Sequence, residues 1–193
     1  PLLAPPVGGL IAEELDWRGV LAVLALIAII VWFLSVVAVP ESLPRDQRAH
    51  GSVFGAYKSI LTILGNPVFF LCTISFCSAF AAMMSYIAAS PFVGQSILGM
   101  GQLPYALSFA AAASAIILAN LINSRLAEHR GVGTMFRLGS MLLLLAAASF
   151  VVMETTNSLS VPGFVVTAFV LTAGAGLTMS NSNALGLAEA TPS

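Results

Sequence analysis

Charged positions divide this chain into apolar stretches of membrane-crossing length. No Asp, Glu, Lys or Arg occurs at residues 19–39, 59–124, 138–153 or 155–188. One crossing needs about 20 apolar residues, because about 30 Å of hydrocarbon is climbed at about 1.5 Å per helical residue. The first stretch predicts one spanning helix. The second is long enough for two, and Gly94, Gly99, Gly101 and Pro104 gather where it must turn. This predicts spans at 68–93 and 103–123. Residues 133–136 extend the third stretch, since Arg137 can snorkel from near a helix end, and the fourth predicts a helix over 163–188. Residues 1–12 read as the outgoing end of an earlier span. The pattern therefore predicts an all-α polytopic membrane protein with five whole crossings and one partial.

Composition turns this pattern from permitted to required. Charged residues make up 8% of the 193 and hydrophobic ones 59%, whereas a water-soluble domain carries roughly 25% charged residues. A net charge of −1 argues against nucleic acid as a partner. Cys72 and Cys77 are five residues apart in one span, about 140° around a helix, so no disulfide between them is expected. The first residue is Pro1, and the chain stops at Thr191-Pro192-Ser193 just after an apolar run; an internal piece of a longer protein is expected. Connections alternate between membrane faces. One face receives six of the seven basic residues: Arg45, Arg48, Lys58, Arg125, Arg130 and Arg137. The other receives only Arg18. By the bias of basic residues toward the cytoplasm, residues 40–67 and 123–137 are expected to be cytoplasmic.

The spans differ in what they ask of their surroundings. Residues 19–39, with Trp32 near one end, and 138–153, with the run 142–145, are almost wholly bulky and apolar, as lipid-facing helices are. The span at 103–123 has a small surface at Ala110, Ala111, Ala112, Ala113, Ser114 and Ala115, suited to close helix packing. The spans at 68–93 and 163–188 are mixed: the first has Thr73, Ser75, Ser78, Met83, Ser85, Tyr86 and Ser90, the second Thr167, Thr172, Thr178, Ser180, Asn181, Ser182 and Asn183. Composition leaves two readings open for the second, cavity lining and interhelical hydrogen bonding. Asn181 and Asn183 are about 200° apart, so at most one faces a given cavity. Both histidines, His50 and His129, fall in connections, and no span pairs a Ser with a His. An enzyme is not expected. Glu189 reads as an interfacial carboxylate, since a charge at mid-membrane costs about 2.5–3.5 kcal/mol or more.

Short motifs then add a resemblance. Ala4-Pro5-Pro6-Val7-Gly8-Gly9 joins two prolines to two glycines at a span end, and resembles the G-P-x-x-G-G end of the antiporter motif in the fifth helix of drug-exporting major facilitator superfamily transporters. Pro40-Glu41-Ser42-Leu43-Pro44 resembles the P-E-[ST]-L-P that follows the sixth helix. Tyr86-Ile87-Ala88 and Ser90-Pro91-Phe92-Val93 resemble the end of the seventh helix in the bicyclomycin/chloramphenicol-resistance (Bcr/CflA) subfamily, and Ser180-Asn181-Ser182 resembles that subfamily's P-N-[AS] in the tenth. Leu126-Ala127-Glu128-His129-Arg130-Gly131 is similar to the loop motif G-x-L-A-D-R-x-G-R-R between helices eight and nine, with Ser124 for the first Gly, Glu128 for Asp, His129 for Arg and Val132-Gly133 for the basic pair.

The resemblance implies the end of an N-terminal six-helix half at 1–39, a central cytoplasmic linker at 40–67 and helices seven to ten of the C-terminal half at 68–193. It implies a drug:proton antiporter of the bacterial inner membrane, monomeric and working by alternating access. Its partners would be small amphipathic drug-like substrates, protons and the lipid bilayer. Met83, Tyr86, Phe92 and Asn181 would contribute to the substrate cavity. Pro5, Gly8 and Gly9 would pack helix five against helix eight at 110–115, and Arg125, Glu128 and Gly131 would form the cytoplasmic loop motif. No cofactor or metal is implied, and the groups that couple protons are expected mostly elsewhere. The rival readings are a facilitator-family symporter of a metabolite and a membrane scaffold with no transport cycle; the polar spans disfavour the scaffold. The topology has a direct check. In a cysteine-less background, an impermeant thiol reagent applied to intact cells should label Ser158→Cys and spare Gln47→Cys; the reverse pattern would invert the assignment.

Overall fold

A computed structural model describes residues 4–38 and 62–190, which are helical apart from short connections. They belong to two compact units, 4–38 in the first and 62–190 in the second. The P-E-S-L-P segment and most of the 40–67 linker lie outside the described residues, as do the side chains of Pro5, Gly8 and Gly9.

The described part of the first unit is α1, Ala4–Ala38, interrupted at Asp16, whose φ of 62° and ψ of 177° divide it into two helical stretches. Asp is among the few L-residues that hold a left-handed φ, because its side chain bonds locally: Asp16 Oδ1 accepts the N–H of Trp17 at 2.7 Å. Arg18 lies 3.6 Å from the same carboxylate and 4.5 Å from the centroid of the Trp17 ring. The polar break between the partial span and the first whole one is thus a bend closed on its own charges. Beyond it, residues from Leu15 to Ala38 are long and apolar enough to cross a membrane.

Among the described residues, the second unit has four long helices. Asn66 starts α2, Pro67–Pro91, by accepting the N–H groups of Val68 and Phe69 on Oδ1, with Pro67 in the first position where its missing N–H costs nothing. After Pro91 the backbone continues as one wide π turn, Phe92–Ile97, and reverses at Gly99, φ 65°. Next come α3, Gln102–Arg130; α4, Val132–Thr155; and α5, Val161–Ala190. Only Gly131, at φ 82°, separates α3 from α4. The helix thus continues past the expected end of the third span at 123 as far as Arg130. The charged residues after 123 continue the helix as turns outside the hydrocarbon, since its 29 residues measure about 43 Å against about 30 Å of membrane core.

All three other helices pack on α5, which is buried along half of its most apolar 18-residue stretch. Against α4 the approach is backbone to backbone. A Cβ on Gly139 would lie 2.6 Å from Leu177 Cβ and 2.7 Å from the Thr178 nitrogen; one on Gly174 would lie 2.6 Å from the Leu143 nitrogen and 2.9 Å from the Gly139 oxygen. On α3 the buried stripe is Ser108, Ala112, Ala115 and Ala119, and the Thr172 hydroxyl donates across to the Ala112 carbonyl at 2.6 Å. On α2 it is Cys72, Ala79, Tyr86 and Ser90, while Cys77 is exposed, as the angular separation of the cysteines requires. The opposite side of α4 leaves Met141, Leu144, Leu145, Val151 and Val152 exposed, in keeping with a lipid-facing helix.

Gly139 and Gly174 therefore set the spacing of α4 and α5. Gly174→Leu in the full-length protein should force the backbones apart at a cost of about 1–3 kcal/mol, read as a lower melting temperature in detergent. Gly133→Ala, where nothing lies within 4 Å of the added carbon, should leave melting unchanged; equal effects would refute the close-packing account.

Candidate functional site

One face of α2 opens a cleft between α2, α4 and α5. Positions 82, 85, 86, 89, 90 and 93 recur at helical spacing and line it. Ala82, Ser85 and Ala89 are short and leave room; Ala147, Phe150 and Glu154 face them from α4, and Phe164 and Leu171 from α5. The open space of this cleft is about 390 Å³, within the range of small-molecule pockets. Its walls belong to an aromatic cluster: Tyr86 stacks on Phe109 at 6.3 Å and 10° and tilts against Phe164 at 6.2 Å, which meets Phe150 at 6.0 Å.

Two polar groups at this cleft stand out. The Tyr86 side chain is 8% exposed, and its hydroxyl has no hydrogen-bond partner, an arrangement that natural cores rarely tolerate. Glu154 is the one charged residue in the lining; it is exposed, and the one ion pair among the described residues is Arg18 with Asp16. Next to the cleft, the Ser90 hydroxyl meets the Tyr105 hydroxyl at 2.9 Å, joining α2 to α3. Gly94 makes that pairing possible, since a Cβ there would lie 2.7 Å from the Tyr105 ring.

A smaller cleft of about 230 Å³ lies toward the other end of the α2–α5 seam, between Phe69, Cys72 and Phe76 on one side and Asn183 and Gly186 on the other. Near it the helices are clasped: Asn66, while capping α2, donates from Nδ2 to Glu189 Oε2 at 3.0 Å. Between the clefts Ala79 is fully buried.

The four residues expected in a common cavity do not converge. Tyr86 lines the larger cleft. Met83 is half-buried and outside its lining, and Phe92, in the π turn, is 63% exposed. Asn181 is 2% exposed and donates from Nδ2 to Asn123 Oδ1 at 2.9 Å and to the Leu177 carbonyl at 2.7 Å. With Ser180 donating to Asn120 at 2.7 Å, this end of α5 uses its polar groups to bind α3, and Asn183 alone of the two amides faces a cleft. In the loop motif, Arg125 and Glu128 are exposed, the Arg125 carbonyl lies 3.0 Å from His129 Nδ1, and Gly131 supplies the left-handed residue that joins α3 to α4. Phe150, Phe164 and Glu154 were not singled out in the sequence. The first two sit in apolar runs that give no local signal, and Glu154 is the one acid between the fourth and fifth whole spans.

The two tyrosines should respond differently to loss of the hydroxyl. Tyr105→Phe breaks the bond to Ser90 and should cost about 0.6–1.5 kcal/mol. Tyr86→Phe removes an unpartnered hydroxyl and should leave melting in detergent unchanged or raise it; destabilisation by both alike would reveal a partner for Tyr86.

The chain as a whole resembles known transporters. It matches the Major Facilitator Superfamily over residues 1–193. It is 21% identical over 189 residues to YdgK, an uncharacterized MFS-type transporter of Bacillus subtilis (strain 168), with 97% of this chain and 47% of the relative covered. It is 23% identical over 128 residues to the multidrug resistance protein MdtM of Salmonella typhimurium (strain LT2), with 66% of this chain and 31% of the relative covered. The chain thus spans less than half the length of these relatives. No solved structure matches it. With five helices long and apolar enough to cross a membrane among the described residues and a family match along its whole length, this chain belongs to the Major Facilitator Superfamily of multi-pass membrane transporters.

Proposed function

We propose that this chain forms the middle of a drug:proton antiporter of the Bcr/CflA type, exporting small amphipathic compounds across the bacterial inner membrane as a monomer and catalysing no reaction. The observation that carries this reading is the α2–α5 seam. These two helices, each with several hydroxyl or amide side chains, pack together, with a cleft toward each end and fully buried Ala79 between. Such a seam suits alternating access, in which a path opens to one side at a time. The name of the relative MdtM, a multidrug resistance protein, agrees with drugs as cargo.

Under this reading residues 1–39 end the N-terminal half, 40–67 link the halves on the cytoplasmic side, and 68–193 supply helices seven to ten. Tyr86 and Met83 offer aromatic and thioether surface that adapts to varied apolar shapes, Phe92 borders the outer end, and Asn181 holds helices eight and ten together beside the path. Ala112 and Ala115 are taken up by α5, while Ala110, Ala111, Ala113 and Ser114 are half-buried and flank them. This flank is where Pro5, Gly8 and Gly9 would close the outer side. Arg125, Glu128 and Gly131 form the cytoplasmic turn between helices eight and nine.

The test is drug accumulation in susceptible cells expressing the full-length protein. Expression should lower accumulation, a protonophore should abolish the protection, and Gly8→Leu should abolish it without loss of protein from the membrane. Protection that survives the protonophore would exclude proton coupling, and raised uptake would favour a symporter.

A further inference from the structure

The smaller cleft lies along a stretch of the α2–α5 seam where the backbones are not locked. A Cβ on Gly186 would meet Cys72 Cβ at 3.6 Å and the Phe69 ring at 3.8 Å, ordinary contact distances, whereas Gly139 and Gly174 leave no room for an added carbon between α4 and α5. About 230 Å³ stays open here. Hydroxyls that line the cleft bond within their own helices, Thr73 to the Phe69 carbonyl at 2.9 Å and Ser182 to the Met179 carbonyl at 3.2 Å. A side-chain bond does cross the seam at its end, from Asn66 Nδ2 to Glu189 Oε2 at 3.0 Å. Asn66 is not free to turn away from it. Its Oδ1 accepts the N–H groups of Val68 and Phe69 at 2.9 and 3.5 Å, which leaves Nδ2 as the donor toward Glu189. Glu189, the penultimate residue of α5, sits at the negative end of its own helix, whose last turn has no basic residue, and a carboxylate is disfavoured there. The bond to Asn66 brings it to the N-terminus of α2, a positive helix end that favours one. The carboxylate is therefore more stable with the two helix ends together than apart.

We infer that Asn66 and Glu189 form a strap that holds this end of the α2–α5 seam shut, and that its release widens the smaller cleft and exposes the Cys72 thiol in its wall. Cys72 is 6% exposed with the strap closed, so its accessibility reports local opening. The strap gives the seam of the export reading a moving end and rests on that reading only for its place in a transport path; the opening itself stands on the contacts between α2 and α5.

The experiment follows the rate at which N-ethylmaleimide labels Cys72 in the purified full-length protein in detergent, with every other cysteine replaced. Asn66→Asp keeps the capping oxygen but sets a second carboxylate against Glu189. It should leave the melting temperature near the parent value and speed labelling about fivefold. The added negative charge repels the reactive thiolate, so faster labelling reads exposure. Asn66→Ser also caps α2 but is too short to reach Glu189, and should speed labelling about threefold. Adding Glu189→Gln to Asn66→Asp rebuilds the bond with donor and acceptor exchanged and restores the parent's charge, so labelling should return to the parent rate. Parent-like labelling in Asn66→Asp or Asn66→Ser, or a double variant as fast as Asn66→Asp, would overturn the strap. The export reading fails separately. Labelling that follows the strap in a protein that exports no drug would keep the strap and sink the exporter; drug export with labelling indifferent to these substitutions would do the opposite.

Discussion

The structure of the second unit depends on how closely backbones approach α5. In lipid, apolar side chains gain nothing by leaving one another's company for the bilayer, so helices are held by contact area and by interhelical hydrogen bonds. Gly139 and Gly174 let α4 and α5 come within van der Waals range along their main chains, and the alanine stripe of α3 does the same on another face. From this contact the other features follow. A helix so surrounded is the safest place for hydroxyl and amide side chains, and Thr172, Thr178, Asn181 and Ser182 are all buried there.

The same small residues explain the clefts. Where Gly139 and Gly174 admit the facing backbones of α4 and α5 the seam is tight; where Ala82, Ser85 and Ala89 of α2 face Phe150 and Phe164, small opposes large without full interlock and space remains. The π turn after Pro91 adds to this, since Gly94 must lie against the Tyr105 ring for Ser90 to reach the Tyr105 hydroxyl. The C-terminal end of α2 is therefore fixed through Tyr105, while Tyr86, one turn earlier on the same stripe, keeps an unanswered hydroxyl.

Much of the fold was legible in the sequence. The number of crossings, the turn at 94–104 and the direction of the cysteines are consequences of charge, glycine and residue count along one dimension, whereas the bend at Asp16 inside a continuous helical segment was not read from the sequence. The candidate site was legible only in part. Tyr86 was found through a motif and lines the cleft, but Phe92 and Asn181, drawn from the same resemblance, point elsewhere, the latter because an amide at that depth meets another amide, Asn123, across the helix boundary. Phe150 and Phe164 carried no local mark.

What the sequence by itself determined is the passage of the chain through the membrane, because bilayer thickness and the cost of charge act on each segment separately. What only the tertiary structure decided is which face of each helix meets which neighbour, and hence where space is left. In water an apolar stripe announces the buried face; in lipid, side chains that face the bilayer and side chains that face another helix are equally apolar, so the periodic signal vanishes. Only packing separates Leu144, which is exposed, from Ala146, two residues away and sealed against its neighbours.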